Sequence, residues 1–499
     1  SPSHLPLNPA RVSGRYNEGG VKQSTVSTHR FIETRMKPAQ SVMPARPQLT
    51  APHVAVPVSP ALAAETADPM RRIALYFSVA FIFLRFSQLH EFLTYTLGFN
   101  TYILYFVGLP AIVFSVLGGA LRRVFSSRLA WMWTGLVLWM ALSVPFSFWR
   151  GESIVLLSKY IRTEIPCLFL IGGLCMTWAD MQKFLYAIMF AGALNILLFR
   201  QFTSDIGGRM FLEYGTMANA NDLAAHLILV MPFLLLGVLW PKRNIVIRIT
   251  LAALIVYAIY TVLGTGSRGA LVALLATGLY AVAMGTVAVR IAALLITPIV
   301  VVVLAAFLPS VTKDRLMTVF TEQDSVSGEA NESRSKRTYL LMQSLKLTAQ
   351  NPLFGVGMGQ FMNYEGFQAK ESGIRGAWQV SHNSYTQVSS ELGLPGMFFF
   401  LAAIAGTYIV LAHNRRLVRG QPGAAEIELT IFCTALSLIG FCVAIFFLTL
   451  AYRFYLPTMS GLVIAIATVI RNFTPVQPQM SAPLRAAMPP TAMMAKRRA

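Results

Sequence analysis

Charge is what this sequence has least of. Acidic and basic residues fill 12% of its 499 positions, while 55% are hydrophobic. A soluble globular chain carries roughly a quarter charged residues, so that class is excluded. Acidic residues are the scarcest, 21 against 41 Lys and Arg, which leaves a formal charge of +20. In a soluble protein that excess would point to nucleic acid. In so apolar a chain, Lys and Arg act as topogenic anchors beside anionic headgroups, and the partner they imply is the lipid bilayer rather than nucleic acid. Cysteine is also rare. Cys167, Cys175, Cys433 and Cys442 all lie within apolar runs, with no CxxC or Cys/His spacing. They read as small packing residues, and neither a metal site nor a cofactor is expected.

What the sequence does have is long apolar runs. In lipid every backbone polar group needs an internal partner, so runs of this kind must be helices. About twelve are long enough to count as spans: 73–86, 101–119, 129–148, 163–177, 184–199, 223–240, 246–264, 269–287, 291–308, 397–412, 429–450 and 456–470. The fourth is preceded by "LLSKYIRTEIP", whose Lys159, Arg162 and Glu164 suit an interfacial segment or the start of a tilted span. The expected fold is an all-α polytopic membrane protein with one large folded loop on the outer side. A disordered basic tail covers 1–70, a first bundle of about nine helices 71–308, the loop 309–395, three more helices 396–472 and a basic tail 473–499. "VPVSPALAAE" imitates a cleavage site, but no sustained apolar core precedes it, so a secretory signal is not expected.

Lys and Arg set the orientation. With the N-terminal tail in the cytoplasm, alternate connections hold Arg122, Arg123 and Arg128, then Lys183, then Lys242, Arg243 and Arg248. Arg290 and then Arg415, Arg416 and Arg419 follow, and the chain ends in "AKRRA". Both termini are therefore expected on the cytoplasmic side. The opposite side receives "LGTGSRGA", "RQFTSDIGGRMFLEYGTMANANDLA" and the long excursion from Pro309 to about Pro395. A loop of that length is functional or disordered, and its "SRSKRTYLLMQSLKLTAQNP" has helical character.

The polar residues of interest share that outer side. Ser267 is a plausible N-cap with Arg268 in the first helical turn. A helix N-terminus disfavours a cation unless an anion joins it, and free N–H groups plus a guanidinium make a phosphate seat. A snorkelling or headgroup-binding arginine is the alternative. Arg337, beside Arg334 and Lys336, lies on a helical stretch and could equally be a solvated face. "GVGMG" lacks the strand-and-helix context of a dinucleotide loop and reads as a tight turn. His382 is the loop's one histidine, and imidazole suits proton abstraction from a hydroxyl. Asn383, Gln387 and Glu391 form a polar stripe after it. Glu391 falls about half a turn out of phase with His382, which argues against a His–Glu pair. Arg209, Asn219, Asn221, Lys159, Asn383 and Glu391 are weaker candidates for substrate binding.

Three stretches together resemble the O-antigen ligase / O-antigen polymerase superfamily of bacterial envelope glycosyltransferases. They are "GTGSRGALVALLATG", the segment from Arg337 to "NPLFGVGMGQF", and "SHNSYTQVSSELGLPGMFFFL". "GTMANANDLAAHLILVMPF" is similar to a fourth element, with Asn219 and Asn221 in the places of its paired asparagines. The resemblance implies transfer of a glycan en bloc from an undecaprenyl-diphosphate carrier to an acceptor hydroxyl on the periplasmic face, without nucleotide or metal. The acceptor is lipid A-core in ligases, another lipid-linked glycan in polymerases, and a Ser or Tyr in related protein O-oligosaccharyltransferases. It implies that Arg268 and Arg337 hold the carrier diphosphate and that His382 activates the acceptor. A transporter or flippase of a lipid-linked or small solute is the rival reading, and a non-catalytic assembly scaffold a third. The absence of an evident repeat and the gathering of polar residues at one face speak against transport.

Overall fold

Each of the expected apolar runs coincides with helix, as the hydrogen-bonding demand of lipid requires. The computed structural model describes residues 60–206, 209–317, 328–373 and 376–473. Most of the expected N-terminal tail and nearly all of the C-terminal one lie outside these residues. Among the described residues, seven helices are long and apolar enough to cross a membrane, or eight if the bent pair Pro69–Ser87 and Leu89–Leu97 is one span. Ile103–Leu117 and Arg268–Met284 are apolar but shorter. The chain is a polytopic helical membrane protein. The "LLSKYIRTEIP" stretch resolves into Arg150–Lys159, a π-turn over Tyr160–Glu164, and Pro166–Leu174. At 1.5 Å per residue, that last helix is too short to cross by itself.

Two details depart from expectation. Residues 60–67, placed in a disordered tail, form the helix Pro60–Ala67. "ALAAE" is rich in helix formers, and the Thr66 carbonyl accepts from Arg71 Nη2 at 3.0 Å. Asp68 then caps the next helix through the Met70 and Arg71 N–H groups. The second departure is an antiparallel hairpin, Thr203–Ile206 with Arg209–Leu212, in register Thr203↔Leu212 to Ile206↔Arg209.

Buried ion pairs tie the bundle together. Arg71 meets Asp180 at 3.0 Å and Arg85 meets Glu164 at 2.5 Å. Glu164 also accepts the Phe454 N–H at 2.8 Å, and the Arg85 guanidinium sits 4.4 Å from the centre of the Phe454 ring. The break between Ser87 and Leu89 falls at Gln88, whose φ is 53°, just past this anchored arginine. Arg85 lies near the end of the expected span 73–86, and nothing in the sequence marks Glu164 as its partner.

The long excursion is largely helical in its described residues. It holds Ser310–Met317, Gly328–Gln350 and Phe361–Glu371, with a small core of Leu340, Leu347, Val356 and Phe361. Gly328–Gln350 packs on Ser384–Val418. The latter begins well before the apolar run and is kinked at Gly393, φ 70° and ψ −172°. Such a backbone suits glycine almost alone. The "GVGMG" turn lies against this kink: Val356 and Gly357 N–H donate to the Ser390 and Glu391 carbonyls, both at 2.9 Å.

Candidate functional site

Arg268 stands on a turn that several elements brace. Ser267 caps the helix Arg268–Met284 by accepting the Ala270 N–H at 3.3 Å. Gly266 supplies the left-handed φ of 59° that lets the chain reverse just before the cap. Gly269 lets the Phe447 ring approach; a Cβ there would lie 2.7 Å from it. From the hairpin, Arg209 donates through Nε to the Thr265 carbonyl at 2.9 Å and through Nη2 to Asn221 Oδ1 at 3.2 Å. Asn219 caps Ala220–Leu239 by accepting the Asn221 N–H at 2.9 Å. Arg209, Asn219 and Asn221 therefore form a hydrogen-bonded chain ending on the turn that presents Arg268.

His382 stands on a second braced turn. Asn383 Oδ1 accepts the Tyr385 and Thr386 N–H groups, at 2.9 and 3.1 Å, and so starts Ser384–Val418. His382 itself has φ 52°, the left-handed region that an ordinary L-residue enters at a cost of roughly 1–3 kcal/mol. Its N–H donates to Thr449 Oγ1 at 2.9 Å. Upstream, Glu365 accepts the Ala377 and Trp378 N–H groups at 3.1 and 3.0 Å and the Tyr339 hydroxyl at 3.0 Å. That carboxylate joins the approach to His382 to the helix carrying Arg337.

These braces converge on a cavity of about 300 Å³ lined by Arg268, Arg337, His382 and Asn383, with Thr338, Ser381, Phe446 and Phe447 among its other walls. Arg268, Arg337 and His382 are half-buried, and Asn383 is buried. Burial first, and the Arg337 guanidinium second, hold the His382 imidazole below its ordinary pKa. It is therefore neutral near pH 7 and able to accept a proton. Two guanidiniums, the N-terminus of an apolar helix and a neutral imidazole make a place where an anion can sit beside a proton acceptor.

The remaining candidates lie outside this cavity. Lys159 is exposed at the end of its helix. Glu391 is buried and turned to the glycine-rich turn, accepting the Gly359 N–H at 2.9 Å and the Phe361 N–H at 3.4 Å. Sequence reasoning missed Phe446, Phe447 and Thr449, which sit at the end of an apolar run where nothing in residue type sets them apart. A larger cavity of about 650 Å³ lies between apolar helices elsewhere. Arg415 and Glu428 are its charged residues, and it holds none of the candidates.

Comparison of the whole chain with curated proteins gives no match. Residues 253–401 match the family model described as O-antigen ligase (Wzy_C), a segment that carries Arg268, Arg337 and His382. Through that segment, under a third of the chain, the protein is similar to the O-antigen ligase family.

Proposed function

We propose that the protein moves an oligo- or polysaccharide en bloc from undecaprenyl diphosphate to an acceptor hydroxyl at the periplasmic face of the inner membrane. The shared cavity of Arg268, Arg337 and His382 carries this reading. The two guanidiniums grip the diphosphate, which gains charge as it leaves. His382 takes the acceptor proton, and the hydroxyl oxygen attacks the anomeric carbon. The bond from that carbon to the diphosphate oxygen breaks, its electron pair stays with undecaprenyl diphosphate, and the anomeric configuration inverts. In this topology both termini are cytoplasmic, and the excursion over 309–395 is periplasmic.

A ligase would deliver the glycan to lipid A-core, a polymerase to another lipid-linked glycan, and a protein O-oligosaccharyltransferase to a side-chain hydroxyl. A transporter or flippase remains the alternative from another class. The bend at Gln88 is the feature that would serve transport, but Arg85 beside it is closed into an ion pair with Glu164. Purified protein in detergent, given donor and acceptor alone, distinguishes the classes. Glycan transfer supports the enzyme; its absence, with transport activity in vesicles, favours the alternative. Envelope-polysaccharide profiling of a deletion strain then separates ligase (uncapped core) from polymerase (single-repeat products).

A further inference from the structure

A proton acceptor works only if its side chain is held where the acceptor hydroxyl arrives. His382 is held in a conformation it would not choose alone. Its φ of 52° is one of the few left-handed values among described non-glycine residues. What keeps it there comes from the other end of the chain, the segment after the helix Ala425–Ala444.

That segment follows the histidine turn residue by residue. Phe446 and Phe447 form a wall of the cavity. The Leu448 carbonyl accepts the Ser384 hydroxyl at 2.7 Å, and the Leu450 N–H donates back to the same oxygen at 2.8 Å. Ala451 N–H donates to Gln387 Oε1 at 3.4 Å. Between these contacts, Thr449 Oγ1 accepts the N–H of His382. Farther on, the Phe454 N–H is fixed by Glu164, itself paired with Arg85. The segment is thus pinned on both sides of Thr449.

We infer that Thr449 is a positioning residue for His382: its hydroxyl fixes the strained peptide that aims the imidazole into the cavity. This rests on the reading of His382 as proton acceptor. Without the hydroxyl, the His382 N–H loses its acceptor, and the peptide is released to relax toward negative φ, which swings the side chain away. Serine keeps the oxygen; valine keeps the shape and removes it.

The test uses full-length protein in nanodiscs with undecaprenyl-diphosphate-linked glycan purified from the producing bacterium. Thr449→Val is expected to lower kcat on the order of 10- to 100-fold with an unchanged donor KM, while Thr449→Ser keeps most of the rate. The acid limb of the Thr449→Val pH profile should move up toward that of an ordinary histidine, as the imidazole leaves its burial and the Arg337 charge. Wild-type kcat in Thr449→Val, a loss carried by donor KM alone, or equal losses in the serine and valine variants would overturn the inference. Should Thr449→Val fail to fold, Ser384→Ala releases the same segment at Leu448 and Leu450. A kcat loss with a shifted acid limb there supports the inference, and an unchanged kcat overturns it. Absence of transfer by the wild type, or full rate in His382→Ala, sinks the parent reading separately.

Discussion

The Arg337 guanidinium lowers the proton affinity of the His382 imidazole across the cavity they share. The larger depression comes from burial. Arg268 is the other charged residue among the described cavity walls, and no carboxylate is among them. The sign of the pH dependence follows. Under the proposed role of His382 as proton acceptor, the unprotonated ring is the working form, so activity is full above its pKa and falls as pH drops through it. The acid limb of kcat/KM should lie below the ordinary histidine value of about 6.5. Arg337→Gln should move that limb to higher pH, even where it also weakens donor binding. A pH series on the two proteins decides this, and a limb that moves down would contradict it.

Arg268 tests the seat itself. The charge-assisted hydrogen bonds a guanidinium makes to phosphate contribute on the order of 1.5–3 kcal/mol each. Arg268→Ala should therefore weaken donor binding roughly 10- to 100-fold by that measure. Arg268→Lys should recover part of this, since lysine keeps the charge and loses the planar fork. Arg209→Ala should weaken binding less, because Arg209 touches the Thr265 carbonyl and acts through the shape of the turn. Titration of labelled donor into each purified variant ranks the three, and Arg209→Ala exceeding Arg268→Ala would reverse the assignment.

The kink at Gly393 separates stability from chemistry. Gly393 has a backbone that other residues avoid, and a Cβ there would overlap the Leu353 carbonyl oxygen. Gly393→Ala should destabilise the protein by at least about 1–3 kcal/mol from backbone strain alone. Thermal melting in detergent should show a clear drop, with donor affinity kept by whatever remains folded. An unchanged melting temperature would mean that the kink is not held as described.

Much of this arrangement was legible in the sequence, for definable reasons. Apolar runs are a one-dimensional signal, and lipid allows them one conformation, so the helices could be placed without any contact information. Arg268, Arg337 and His382 could be singled out because each is a polar residue on the side of an apolar chain that the Lys and Arg distribution marks as outer, and because three separated stretches share a family resemblance. Their convergence on one cavity was expected from the family resemblance alone; residue spacing could not show it, since it depends on Gly328–Gln350 packing against Ser384–Val418. The roles of Asn383 and Glu391 were also hidden. A helix cap and a clamp on backbone N–H groups look in sequence like the polar lining of a site. Thr449 was least legible, because its one informative property is the N–H it faces.

The Arg85–Glu164 pair gives the last prediction. Both side chains are nearly inaccessible, 8% and 3% exposed, and Glu164 additionally holds the Phe454 N–H. Removing one partner leaves a buried charge unpaired, an effect of roughly 3–5 kcal/mol in protein interiors. Glu164→Ala and Arg85→Met should each lower the melting temperature and yield. Replacing both together removes the unpaired charge, so Arg85→Met/Glu164→Leu should recover a large part of the loss. Recovery should stay incomplete, because the Phe454 N–H still lacks its acceptor. The consequence for function separates the two classes of mechanism. In a glycosyltransferase the pair anchors the segment that carries Thr449, so the double variant should transfer glycan at a reduced kcat with donor KM intact. In a transporter, charges beside a broken helix would be part of the moving path, and their joint replacement would abolish activity while the protein remained folded. Measuring melting temperature and glycan transfer on the same three variants distinguishes these outcomes.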